Sequence, residues 1–335
     1  MKFFNIDFHI SLVADLQQIF RKLGHEFDDW CLSGHNWVLN KTKAHVPLLN
    51  GWEKMIEKQL WNEFADTYPE LEQYDAFVCT YPPAFAMLYQ NFNKPVIIQI
   101  PIRYEYPYTF NQANWEYFNE FLRNGIDKKK VIPVCNSLFE KEYFDSYVGR
   151  PAKYIPNLCE YTGMQYSPDA PPVIYGHNNH GLQFPTRSDL GVFRWQDLAK
   201  RRSIIHFPYQ TSTMSIFEQY TANIPLIFPS QKYIRSHLEM LSQVLWSRTC
   251  GQKATPPKCN IDWEDDWPVF LHLADYYQWP HIQYFDSLEH CREIVGNVDE
   301  GDIYHAMKEE NFHRKQRVYR DWEEILSSIL DYLIY

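Results

Sequence analysis

Ser203–Ser230, SIIHFPYQTSTMSIFEQYTANIPLIFPS, decides how this chain folds. Ser203–Phe207 is a short apolar strand, stopped by Pro208. A hydroxyl-rich loop follows, then a helix over Thr213–Ala222, an Asn223-Ile224-Pro225 turn and a second apolar strand, Pro225–Phe228. Two strands joined through a helix run parallel. In an open parallel sheet, ligands sit beyond the carboxyl ends of the strands. His206 and the loop Pro208–Ser212, with Tyr209 in it, fall at that edge. The next helix aims its free N–H groups and positive dipole end at the same place. Ser212, Thr213 and Ser215 add hydroxyl donors. A diphosphate is the kind of anion such a place suits.

Glu218 follows Ser215 by three residues, so both lie on one helix face, and Ala222 keeps that face open. The carboxylate can accept hydrogen bonds from a ribose diol, with phosphate at the helix start. The same Ser-x-x-Glu is also a capping box with Ser215 as N-cap. Thr211, Ser212 and Thr213 are rival caps. The sequence leaves both readings open.

Working outward, the pattern repeats. Met1–Ile10 reads as a strand, and Leu12, Leu16, Ile19, Phe20 and Leu23 make one helical face that Gly24 ends. Phe27–Leu32, Tyr74–Thr80, Pro95–Ile100 and Val131–Asn136 read as further strands, and Trp52–Ala65 and Asn114–Arg123 as helices. The Pro-, Gly- and Tyr-rich stretch Gly149–Pro172 marks a boundary, which predicts domains over 1–155 and 156–335. Gln283–Asp286 and Ser287–Val295 form a last strand and helix. From Tyr304 the apolar residues Val318, Trp322, Ile325, Leu326, Ile329 and Leu333 predict a long amphipathic helix.

Composition narrows the function. The 335 residues are 45% apolar, which fits two folded domains rather than disorder. A net charge of −10 disfavours nucleic acid as a partner. The only short basic runs are Lys128–Lys130 and Lys200–Arg202. Seven scattered cysteines without a CxxC pair argue against a disulfide framework or a thiolate zinc site. The sequence carries no apolar run long enough for a membrane span and no signal-peptide pattern, so a cytoplasmic location is expected. Aromatic residues, at 17%, suit sugar faces as well as core packing.

The quoted stretch resembles the nucleotide-sugar segment of GT-B glycosyltransferases. The matching residues are Glu218, Ala222, Asn223, Ile224, Pro225 and Leu226, and the stretch that carries them is about a tenth of the chain. Asn223 departs from the usual Gly, but Asn tolerates positive φ. The resemblance implies two Rossmann-like α/β domains facing a cleft, with a C-terminal helix crossing back to the first domain. It implies transfer of a hexosyl or pentosyl group from a UDP- or GDP-linked sugar to a hydroxyl of a glycan or small molecule. It implies that Glu218 binds the ribose, and that backbone near Thr213–Ser215, with Arg187, Arg194 or Lys200, meets the diphosphate. The acceptor and any catalytic base then belong to the first domain. There His9 ends the first strand and His35 lies in Ser33-Gly34-His35 after the second, each able to act as a base.

The chain lacks GxGxxG, Walker, Gly-x-Ser-x-Gly and Asp-x-Asp motifs. No metal or cofactor is therefore expected; His177 and His180 are the best-spaced metal candidates, and no third ligand accompanies them. Two alternatives remain: a glycan-binding protein without catalysis, supported by the aromatic Trp263–Trp279 stretch, and a sugar-nucleotide epimerase.

Overall fold

The computed structural model describes residues 1–49, 58–108, 111–176, 178–237, 256–263 and 266–334. Trp52 to Glu57 of the expected second helix, and His177, lie outside them. The chain divides into two compact units. The first comprises Met1–Asn157, Gln252–Asp262 and Val318–Tyr335; the second comprises Leu158–Gly251 and Trp263–Arg317.

The first unit is built on a parallel sheet of β1 (Lys2–Asp7), β2 (Glu26–Cys31), β3 (Ala76–Cys79), β4 (Val96–Ile100), β5 (Val131–Cys135) and β6 (Lys153–Tyr154), in the order β2-β1-β3-β4-β5-β6. Every residue of β3 and β4 is buried, as expected for central strands covered on both faces. The helices are α1 (Ile10–Lys22), α2 (Lys58–Thr67), α3 (Gln112–Asp127) and α4 (Leu138–Val148). On α1 the residues Leu12, Leu16, Ile19 and Phe20 are buried, and Gly24 turns the chain at φ 82°. The side chains of Asn111 and Ser137 accept the Asn114 and Glu140 amides and so start α3 and α4. The short β6 and α4 have no counterpart in the sequence reading. Gly149, read as part of a linker, is the left-handed cap that ends α4, at φ 69°.

The second unit has β7 (Val173–Tyr175), β8 (Ile204–His206), β9 (Leu226–Pro229) and β10 (Gln283–Phe285), all parallel, in the order β10-β9-β8-β7. Ile174, Ile205, Ile227 and Phe285 form its core, with Val295 from the helix Leu288–Asn297. Helices α5 (Trp195–Ala199) and α6 (Met214–Thr221) precede β8 and β9. Three-residue β7 was not anticipated, because three apolar residues show no period.

The last helix runs Glu300–Ile334. Its residues from Val318 onward belong to the first unit, where Trp322 meets Phe20 edge-on at 5.3 Å. In the second unit Asn311 donates to the Tyr220 carbonyl at 2.7 Å and to the Asn223 side chain at 2.8 Å. Asn223 adopts φ 62°, the left-handed turn expected at that position. Asn223→Ala should therefore lower stability by about 2 kcal/mol, roughly half from left-handed strain and half from the lost hydrogen bond. Asn223→Gly should cost about 1 kcal/mol, since only the bond is lost. Urea unfolding of the two variants checks the ratio.

Candidate active site

In the second unit the site gathers around α6. Thr213 is its N-cap in extended conformation, without a side-chain capping bond. Ser215 is thus already inside the helix, and the capping box that its spacing with Glu218 allows is not formed. The Glu218 carboxylate is buried and accepts the Tyr161 hydroxyl at 2.5 Å. The Ser215 hydroxyl lies 3.0 Å from that of Thr213.

Three more side chains converge there. Burial raises the Tyr175 hydroxyl to about 12; Arg187 and the Ser215 hydroxyl oppose that rise and Glu218 adds to it. Burial also raises the Tyr209 hydroxyl, with Arg187 opposing and Glu218 reinforcing. Tyr209 keeps 54% of its surface exposed, so its ring borders solvent. Tyr161 thus contacts Glu218, Arg187 contacts Tyr175, and the Tyr175 and Tyr209 hydroxyls both feel the Arg187 and Glu218 charges. The Arg187 guanidinium lies over the rings of Tyr175 and Phe193, at 4.9 and 5.3 Å from their centroids. Among the described residues it has no carboxylate partner; Asp189, on the same turn, is taken by the Thr186 amide and hydroxyl.

The loop before α6 is fixed by the Asp275 amide, which donates to the Thr211 carbonyl at 3.1 Å. Thr211 and Ser212 are buried, and their hydroxyls lack hydrogen-bond partners among the described residues. Unsatisfied buried hydroxyls are costly, and a ligand oxygen would satisfy them.

Two expected residues sit differently. His206 does not stand at the edge as an open ligand group. It is buried, its Nε2 lies 2.6 Å from Gln219 Oε1, and it stacks on Phe228 at 4.5 Å. Burial lowers its pKa to about 4, with Gln219 opposing, so it is a neutral packed ring. Arg194 is exposed at the N-cap of α5, its amide on Asp197 at 2.8 Å, and among the described residues no hydrogen bond or ring contact joins it to the cluster.

The first unit presents a second set at the carboxyl edge of its own sheet. Asp7, the last residue of β1, is buried and accepts the backbone amides of His9 and, at 2.7 Å, of Tyr81. It fixes the start of α1, where His9 is the N-cap. Burial raises the Asp7 pKa well above the usual carboxylate value, against both amide bonds. His9 is exposed, and desolvation by the surrounding protein, with the nearby His35 ring, lowers its pKa below the usual histidine value. His35 is exposed, its amide donating to Ser33 Oγ at 3.0 Å. Tyr81 meets the His9 ring edge-on at 6.3 Å and stacks on Tyr106 at 5.9 Å. The edge is therefore a pair of imidazoles beside flat aromatic rings. Asp7, Tyr81, Tyr161 and Tyr175 were missed by the sequence reading. Only Asp7, two residues before His9 at a strand end, carried a local signal.

Among the described residues no group of His, Cys, Asp and Glu could hold a metal ion, and no helix is long and apolar enough to cross a membrane. The six described cysteines form no disulfide.

No protein-family model matches the chain, and no curated protein matches it. Solved structures align over nearly all of it. The glycosyltransferase SnogD from Streptomyces nogalater aligns over 97% of this chain and 99% of its own, at 11% identity and a TM-score of 0.45. Spinosyn forosaminyltransferase SpnP covers 97% and 99%, at 10% identity and 0.44. Spinosyn rhamnosyltransferase SpnG complexed with thymidine diphosphate covers 93% and 96%, at 9% identity and 0.42. Likenesses this distant assign neither site nor substrate, and the functional reading rests on the geometry of the two edges.

Proposed function

We propose that the chain transfers a sugar from a nucleoside diphosphate sugar to an acceptor hydroxyl. The observation that carries this is the cluster at α6: a cation with no carboxylate partner and two buried hydroxyls with no hydrogen-bond partner among the described residues, beside a buried carboxylate. Arg187, the hydroxyls of Ser212, Thr213 and Ser215, and the first amides of α6 suit a diphosphate. Glu218 suits the ribose diol, and the half-exposed Tyr209 ring offers a stacking face for the base or sugar.

In this reading the acceptor oxygen attacks the anomeric carbon and its proton passes to His9. The anomeric carbon–oxygen bond breaks, and the diphosphate leaves with the electron pair. Arg187 and the α6 amides offset the charge that develops on it. His9 is suited to the base role because its lowered pKa keeps the ring neutral near pH 7. Tyr81 and Tyr106 offer flat faces to the acceptor. In this reading Arg187 and the helix amides supply the positive charge that the diphosphate meets.

The test is incubation with UDP-, GDP- and dTDP-sugars in excess chelator, watching for free nucleotide. Slow release that an acceptor accelerates is the expected result. Conversion of the sugar without release would mean an epimerase. Binding without either would mean a non-catalytic protein, and loss with chelator restored by manganese would mean a metal-dependent donor site.

A further inference from the structure

Two basic runs stand out in the sequence, and the structure uses only one of them. In Lys200–Arg202, Arg202 is paired with Glu300 at 2.7 Å. In Lys128–Lys130, neither Lys128 nor Lys130 has a carboxylate partner among the described residues. The nearest acid in sequence, Asp127, is held by both sides of the Arg150 guanidinium at 2.7 and 2.8 Å. Lys128 and Lys130 instead border a cavity of about 320 Å³ in the first unit. Its rim also carries Tyr117, Phe121, Gln90, Asn124 and Glu120.

The backbone brings the two lysines to the cavity. Helix α3 ends against the start of β5 so closely that a Cβ on Gly125 would lie 2.3 Å from Val131 Cγ2. The chain then turns back through Lys129 at φ 57°, which brings Lys130 to the edge of the sheet. Lys130 is half-buried, burial and then Lys128 lower its pKa, and no carboxylate among the described residues pairs with it. Val96 and Val131, which line the cavity, begin β4 and β5. The cavity thus lies at the amino edge of the sheet. His9 lies beyond the carboxyl edge, about 15 Å or more away by strand length.

The geometry points to a second ligand site here, for a monosaccharide bearing an anionic group. Lys128 and Lys130 meet the anion. Gln90, Asn124 and Glu120 offer the donors and acceptors that hydroxyls need, and Tyr117 and Phe121 offer ring faces to the sugar C–H edges. The volume falls in the range of small-ligand sites. The anion can be a phosphate ester or a sugar carboxylate, since both satisfy two ammonium groups. This site rests on the first unit alone and stands whether or not the transferase reading does.

Calorimetry on the full chain tests it with glucose 6-phosphate, glucuronate, glucose and inorganic phosphate. At least one charged sugar should bind ten times or more tighter than either glucose or inorganic phosphate. Lys130→Met should weaken that binding at least tenfold, and Lys128→Ser several-fold. Dimethylated lysines followed by NMR give an independent reading. The Lys130 signal, identified by its loss in Lys130→Arg, should titrate at higher pH once the ligand is bound. The proposal is overturned if no charged sugar binds, or if glucose or phosphate alone binds as tightly. Unchanged binding in Lys130→Met, or in Lys128→Ser together with an unmoved Lys130 titration, overturns it equally.

Discussion

Replacing His9 with Ala should lower turnover about a hundredfold or more, with nucleotide affinity close to that of the unaltered protein. The two quantities separate because His9 belongs to the first unit and the α6 cluster to the second. The fold should survive, because His9 makes no side-chain capping bond to α1 and Asp7 grips its backbone amide. The pH profile supplies the sharper reading. A base must be neutral to accept a proton, so kcat/KM should fall as pH drops through the His9 pKa. Burial and His35 lower that pKa, so the acid limb should lie below the ordinary histidine value of 6.5. His35→Ala removes the neighbour that helps lower the His9 pKa and should shift the limb upward while turnover at pH 8 changes little. A limb above 6.5, or wild-type turnover in His9→Ala, would remove His9 from the chemistry. Loss of activity in His35→Ala with His9→Ala intact would transfer the role to His35.

The sheets were legible because parallel strands buried on both faces leave apolar runs bounded by Pro and Gly. Pro95–Ile100 and Val131–Asn136 differ from β4 and β5 by a single end residue each. Asn223 was legible for another reason: the left-handed turn it makes is a local property of the chain. The cluster was not legible in full. Ser-x-x-Glu cannot tell a cap from a ligand pair, and only the extended Thr213 settles that Ser215 is inside the helix. Tyr161 reaches Glu218 across 57 positions, from a stretch that reads as linker. His206 reads as an edge residue because strand ends are where ligands sit. Its orientation is fixed by Gln219, thirteen positions later, and by Phe228 on the neighbouring strand. Arg187 and Arg194 are alike in sequence. They part only because Arg187 follows the residue that bridges toward β7, while Arg194 caps α5.

Glu218→Gln should weaken nucleotide binding about tenfold to a hundredfold. A charge-assisted hydrogen bond contributes roughly 1.5–3 kcal/mol, which is that range of affinity. Gln keeps the shape of the side chain, and its carbonyl can still accept the Tyr161 hydroxyl, so stability should change little. Tyr161→Phe should cost only a few-fold in affinity. It removes the bond that orients the carboxylate and leaves the charge in place. Ser215→Ala should lower stability by well under the roughly 1 kcal/mol expected of a lost N-cap, because Ser215 is not the cap. A nucleotide whose ribose lacks both hydroxyls separates ribose contact from general electrostatics. It should bind the unaltered protein poorly, and Glu218→Gln should then cost it little more. Calorimetry with the intact and dideoxy nucleotides on each variant decides the matter. If the substitution weakens both ligands equally, Glu218 does not touch the ribose. The carboxylate would then act by balancing Arg187 across the Tyr175 and Tyr209 hydroxyls, both of which feel the two charges. In that case Arg187→Met would restore part of the affinity lost in Glu218→Gln, whereas a diphosphate held directly by Arg187 requires the double variant to bind more weakly than either single one.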